Sequence, residues 1–144
     1  DEIPVLGVPV SVEDDEPLHR PGVDWVIPEA RRLYEAWGLP VVGDKGGPAS
    51  SLLDELEAEG IAVIRAQLSD YLDACGRLYD LVQTGGVAHL GDDDPSLQDA
   101  VVAATRRDVG DRWAWGRKSG DITALEAVTL ALWAVERSSI PAIY

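Results

Sequence analysis

The stretch Gly120-Asp121-Ile122-Thr123-Ala124-Leu125-Glu126-Ala127-Val128-Thr129-Leu130-Ala131-Leu132-Trp133-Ala134-Val135-Glu136 constrains the fold of this chain more than any other. Ile122, Leu125, Val128 and Leu132 recur at steps of three and four, which puts them on one face of a helix. Ala124, Ala127, Ala131 and Ala134 keep the neighbouring faces thin enough to pack closely against a sheet or another helix. Such a helix belongs in a core. Thr123 followed three residues later by Glu126 has the form of a capping box, so the helix is expected to start at Ala124, with Asp121 in the turn that feeds it. On residue chemistry alone, a carboxylate at that place is a support for the helix dipole.

What surrounds that helix is bounded by size and charge. A chain of 144 residues, 46% hydrophobic and 26% charged, is read as one domain over 1–144 with a buried core. Twelve basic against 26 acidic side chains give a net charge of -14, which excludes a grip on nucleic acid through the whole surface. Any DNA contact has to be local. Five of the twelve cations, Arg106, Arg107, Arg112, Arg117 and Lys118, fall in the segment just ahead of Asp121, the one place where phosphate would be welcome. No apolar run is long enough to span a bilayer and no basic-then-apolar leader opens the chain, so a protein neither secreted nor membrane-bound is expected. The single cysteine, Cys75, has no internal disulfide partner and fits a reducing compartment. The opening on Asp1, without methionine, is read as an excised fragment or a processed chain.

Along the chain, the prolines and valines of residues 1–12 suggest an edge strand, and the acidic run Glu13-Asp14-Asp15-Glu16 a solvated loop. Residues 28–37 carry Ala30, Leu33, Tyr34 and Trp37 at helical spacing, closed by Gly38. Residues 39–43 form a short apolar strand ending in Asp44-Lys45-Gly46-Gly47-Pro48; Ser50 or Ser51 then caps a helix to Glu59 that buries Leu52, Leu53 and Leu56, and Gly60 closes it. A second strand, 61–66, completes a crossover unit with a parallel strand pair. Ser69 is expected to cap a helix over 70–83 with Leu72, Cys75, Leu78, Tyr79 and Val82 on one face. A brief strand at 87–90, a turn at 91–95 and a helix over 96–107 with Leu97, Ala100, Val101 and Ala104 inward follow. Trp113-Ala114-Trp115 alternates as a strand does, with both indoles on one face, as core rather than as base-stacking residues.

Several chemistries are excluded by the letters. Neither a phosphate-binding Gly-x-x-x-x-Gly-Lys-Ser/Thr nor a Gly-x-Ser-x-Gly nucleophile elbow is present, and one cysteine cannot build a thiolate zinc cage. His19 and His89 are isolated and read as surface or packing residues. What remains is carboxylate chemistry. Asp44 follows a buried strand and precedes Gly46 and Gly47, where backbone can approach a bulky polyanion, and Asp121 precedes a buried helix. Two rigidly placed acids can share Mg²⁺ or Mn²⁺, and two such ions about 3.5–4 Å apart stabilise both the attacking water and the leaving 3′ oxygen of a phosphodiester. By spacing alone, two turn or cap aspartates explain the same letters, and more simply.

A family resemblance bears on that choice. Arg20-Pro21-Gly22-Val23-Asp24-Trp25, the segment 41–52 with Asp44 and Gly46-Gly47-Pro48-Ala49-Ser50, Ala74-Cys75-Gly76-Arg77-Leu78-Tyr79-Asp80, and Gly110-Asp111-Arg112-Trp113-Ala114-Trp115-Gly116-Arg117 leading into Asp121-Ile122-Thr123 together resemble the nuclease domain of tailed-phage large terminase subunits. The resemblance implies an α/β, RNase H-like fold, a mixed central sheet flanked by helices, with acids from separate elements gathered around Mg²⁺ or Mn²⁺. Asp44 matches the family's second acid and Asp121 its third. The first acid lies on an opening strand with no counterpart here, so the site is expected to be completed upstream of residue 1.

The implied activity is a metal-dependent endonuclease that cuts concatemeric double-stranded DNA during phage genome packaging, in the cytoplasm of the bacterial host. Asp44 and Asp121 are its expected catalytic and metal ligands, and Arg106, Arg107, Arg112, Arg117 and Lys118 its phosphate contacts. The implied partners are double-stranded DNA, the terminase ATPase domain, the small terminase subunit and the portal. The alternative is a non-catalytic module that keeps the fold to dock a portal or packaging-motor partner, as the acidic composition suggests.

Overall fold

The computed structural model describes residues 5–6, 22–89, 95–117 and 120–137. The order of elements is β1 (Val5–Leu6), α1 (Val26–Trp37), β2 (Val41–Asp44), α2 (Ser50–Ala58), β3 (Val63–Ala66), α3 (Leu68–Thr84), β4 (Ala88–His89), α4 (Pro95–Ala103), β5 (Ala104–Val109), β6 (Arg112–Arg117) and α5 (Thr123–Arg137). The class is mixed α/β. Among the described residues the strands pair as three separate two-stranded ladders, β1 with β4, β2 with β3 and β5 with β6. The chain divides into two compact units, one comprising the described residues up to Leu68 except β1, the other β1 with everything from Ser69 onward.

The first unit is built on a β-α-β turn of chain. β2 and β3 run parallel with Val41 opposite Val63 and Asp44 opposite Ala66, as the sequence predicts, and the Lys45 N–H donates to the Ala66 carbonyl at 2.8 Å to extend the pairing. Leu53 and Leu56 of α2 and Ile61 are buried together, with Ile27, Ala30 and Tyr34 of α1 and Val41 and Val63 packed against them. Helix α1 ends at Gly38, whose φ of 66° and N–H bond to the Tyr34 carbonyl (2.7 Å) form a left-handed cap, a conformation that costs glycine little. Trp37, read as part of the apolar stripe of α1, is more than half exposed at that end. The expected serine cap of α2 is not made: Ala49 holds the cap position with no side-chain hydrogen bond, and Ser50 begins the helix. Arg65 of β3 instead pins α2 from outside, through Asp54 (2.7 Å) and Glu57 (2.8 Å).

The second unit is centred on α5, as the apolar periodicity requires. Leu125, Val128 and Leu132 of α5 bury against Leu78 of α3 and Leu97 and Ala100 of α4, with Trp115 and Leu81 half-buried around them. Ala127 and Ala131, expected on thin packing faces, are exposed. Helix α3 starts at Leu68, one residue before its expected serine cap. Its buried face is Tyr71, Leu72, Ala74, Cys75 and Leu78, turned from the expected one, so that Tyr79 and Val82 are exposed. Gly85 (φ 70°) and the Gly86 N–H bond to the Leu81 carbonyl (2.8 Å) close it.

The largest departure from the sequence reading lies at 104–109. The helix expected to run to Arg107 stops at Ala103, and Ala104–Val109 is a strand paired antiparallel with β6, Val109 opposite Arg112 and Ala104 opposite Arg117. Two residues, Gly110 and Asp111, join the strands, and Gly110 has a φ of 64°. Glycine at the first position of a two-residue turn gives the backbone twist that hairpins favour. Pairing with β6 outweighs the helical spacing that Ala104 continues, and Val101, expected to face inward, is exposed on α4, whose buried residues are Leu97, Ala100 and Ala103. Trp113 and Trp115 do share one face of β6, their rings edge to face at 4.9 Å.

Candidate metal and phosphate site

Asp44 is the last residue of β2, at the carboxyl end of a parallel strand pair, where ligands of such sheets gather. Its position is set from both sides. Before it, Gly43 leaves α2 so close that a Cβ there would lie 2.7 Å from the Leu53 Cδ2. After it, the Gly46 N–H donates to the Asp44 Oδ1 at 3.0 Å, and the Ser50 N–H donates to the Gly47 carbonyl at 3.1 Å as the chain turns into α2. A Cβ at Gly47 would stand 3.0 Å from the Asp44 Oδ2, so this glycine is what lets the loop fold back on the carboxylate. The carboxylate itself is exposed.

Asp121 is also exposed and sits two residues before α5. Its Oδ1 accepts the Thr123 N–H at 2.8 Å and, in a short contact, the Thr123 hydroxyl. Thr123 therefore does not cap the helix. The box expected between Thr123 and Glu126 is replaced by a carboxylate that takes the first free N–H itself, because the threonine hydroxyl donates back to the stronger, charged acceptor. Ile122, almost wholly buried, anchors the turn, and its carbonyl accepts the Glu126 N–H at 3.0 Å.

The basic residues are not one patch. Directly paired residues of an antiparallel ladder project to the same face, so the register of β5 and β6 puts Arg106 and Arg117 with the two tryptophans and Arg107 and Arg112 on the other side. The guanidinium of Arg106 lies over two rings, 4.1 Å from the centre of Tyr79 and 4.4 Å from that of Trp113. Arg112 is ion-paired with Asp73 of α3. Arg107 donates from Nε to the Trp115 carbonyl at 3.3 Å. Arg117 is exposed and forms no ion pair among the described residues, and Lys118 lies outside them, as do His19 and the acidic run 13–16.

Two features carry no signal in the sequence: the Arg112–Asp73 pair, whose members are 39 positions apart, and the Thr129 hydroxyl, which accepts the Trp115 indole N–H at 3.1 Å. Asp121-x-Thr123, by contrast, is a legible side-chain turn. As hard oxygen donors on the ends of regular elements, Asp44 and Asp121 fit Mg²⁺ or Mn²⁺ in chemistry. They belong to different units, and among the described residues no three His, Cys, Asp or Glu side chains form a group able to hold an ion. Compared with known protein families, curated proteins and solved structures, the chain has no significant match.

Proposed function

We propose that this chain is a terminase-type, RNase H-like endonuclease domain that cuts double-stranded concatemeric phage DNA in a divalent-metal-dependent reaction. The observation that carries the reading is Asp44: an exposed carboxylate on a strand end, oriented by one glycine N–H and overhung by a second glycine that no side chain could replace without pressing on it. Asp121, held by the turn into α5, is the second ligand. Mg²⁺ or Mn²⁺ held by these acids would supply charge neutralisation and Lewis acidity to a scissile phosphodiester. Arg117 and Lys118 are the foremost phosphate contacts, with Arg107 and Arg112 secondary and Arg106 committed to its ring stack. In this reading the chain works in the bacterial host cytoplasm beside the terminase ATPase domain, the small terminase subunit and the portal.

One observation favours a second reading, a docking module without catalysis: Arg106 and Arg112 are spent on internal contacts, which leaves less positive surface for a duplex. Metal-linked stability separates the two. A cation that binds only the folded chain raises its unfolding temperature, by roughly 3–6 °C at millimolar Mn²⁺ for weak binding. Asp44→Asn and Asp121→Asn are expected to abolish the shift, and Gly47→Ala, which crowds the Asp44 carboxylate, to reduce it. A wild-type chain with no Mn²⁺ response, or a response that survives both Asn substitutions, removes the nuclease reading and leaves the docking module.

A further inference from the structure

We infer that Thr123 is the positioning residue of the proposed metal centre, its side chain setting the direction of the Asp121 carboxylate, an assignment that rests on the nuclease reading and adds a residue to it. Thr123 touches no substrate in this assignment and acts only through Asp121.

The direction of the Thr123 hydroxyl is the first ground. Thr123 is the first residue of α5, and Ile122 just before it already supplies a carbonyl to the Glu126 N–H at 3.0 Å. A hydroxyl that served the helix would accept one of the N–H groups that the first turn leaves over. The Thr123 hydroxyl instead donates backward, out of the helix, to the Asp121 Oδ1, since an ionised carboxylate has no proton to give.

That bond is also more than the turn needs. The Thr123 N–H by itself closes the turn on the same oxygen, at 2.8 Å. Asp44 shows the simpler case, in which Oδ1 accepts the N–H of a residue two positions on, Gly46 at 3.0 Å, and that residue has no side chain. Asp121 has the equivalent bond and a hydroxyl besides. A second donor on one oxygen restricts rotation about the Cβ–Cγ bond, so Oδ2 is held in one direction.

The backbone on either side of Asp121 is held as well. Ile122 is 1% exposed, and Gly120 comes so close to α4 that a Cβ there would stand 3.2 Å from the Ala103 Cβ. With its neighbours fixed, the freedom left to Asp121 is that of its side chain, and this is what Thr123 removes. A carboxylate ordered before a cation arrives binds it more tightly than one that must become ordered on binding. Groups that orient a metal ligand in this way are worth about 10–100-fold in affinity. Asp121 and Thr123 are both exposed, which places the effect at the lower end.

The test is Mn²⁺ titration of the full chain, with unbound Mn²⁺ read by its paramagnetic resonance signal, beside urea unfolding without metal. Thr123→Val keeps the shape and the N–H and removes the hydroxyl. It is expected to weaken Mn²⁺ binding by about tenfold and to leave the metal-free unfolding midpoint at the wild-type value. Thr123→Ser keeps the hydroxyl and is expected to bind within about twofold of wild type. In an Asp121→Asn background, Thr123→Val is expected to change nothing further, because the hydroxyl acts only through the carboxylate. Wild-type affinity in Thr123→Val, equal weakening in the Val and Ser variants, or a metal-free midpoint that falls together with affinity overturns the positioning role and leaves the nuclease reading standing. A wild-type chain that takes up no Mn²⁺, or whose uptake is indifferent to Asp121→Asn, overturns both.

Discussion

The indole N–H of Trp115 donates to the Thr129 Oγ1 at 3.1 Å, and the same hydroxyl, wholly buried, donates to the Leu125 carbonyl at 2.6 Å. This pair joins the hairpin to the core helix through the one buried side chain of α5 that is polar. Thr129→Val keeps the shape and removes the acceptor, leaving the tryptophan donor unsatisfied, and is expected to cost about 1–3 kcal/mol in urea unfolding. Trp115→Phe removes the donor as well, so the double variant is expected to lose less than the sum of the two single ones.

Arg106 and Arg117 lie on the same face of the hairpin but are assigned opposite duties. Arg106→Gln breaks a contact with two rings and is expected to lower stability by about 1–2 kcal/mol. Arg117→Gln is expected to change stability by less than about 0.5 kcal/mol and to reduce the salt dependence of duplex binding by roughly one phosphate contact. Unfolding curves and binding isotherms at several salt concentrations check both. An unaltered salt slope in Arg117→Gln would assign that residue to solvent.

The thiol of Cys75 is completely buried, and burial pushes its pKa up, partly offset by the Trp115 backbone N–H directed at the sulfur. Burial raises the neighbouring Tyr71 hydroxyl as well. That hydroxyl lies beside the Cys75 thiol, and the interaction of the two groups adds to the rise that burial causes in the hydroxyl. Both groups therefore stay protonated in the folded chain at pH values where the unfolded chain releases its protons. Their contribution to stability is full below the ordinary thiol pKa of about 8.5 and is lost as pH rises above it. Unfolding free energy is expected to decline from about pH 8.5 upward, and Cys75→Ala to remove the first part of that decline.

Much of this structure can be read from the letters where several signals agree. The core face of α5, the parallel pairing of β2 with β3 and the glycine stop of α1 each rest on periodicity and turn chemistry pointing the same way. The strand at Ala104–Val109 was hidden because Leu97, Ala100, Val101 and Ala104 continue a helical spacing that only pairing with β6 interrupts. Gly110-Asp111 between a β-branched valine and the alternating tryptophans was the opposing signal. On α3, Tyr79 serves the Arg106 stack at the surface, while Tyr71, Leu72, Ala74, Cys75 and Leu78 form the buried face. For the candidate site, sequence locates Asp44 at a strand end and Asp121 ahead of a helix. The sharing of Thr123 with Asp121 and the division of the arginines between two faces depend on geometry that spacing does not carry.

The central claim is metal-dependent cutting of duplex DNA by Asp44 and Asp121, and the most direct measurement is conversion of supercoiled plasmid to nicked and linear forms by the purified chain. The account predicts slow conversion at millimolar Mn²⁺ that chelator stops, faster cutting by a chain extended with the strand expected upstream of residue 1, and loss of conversion in Asp44→Asn and in Asp121→Asn, with both variants folded. Plasmid left intact in Mn²⁺ and Mg²⁺ by this chain and by the extended chain alike, or cut equally by the two Asn variants, would contradict it.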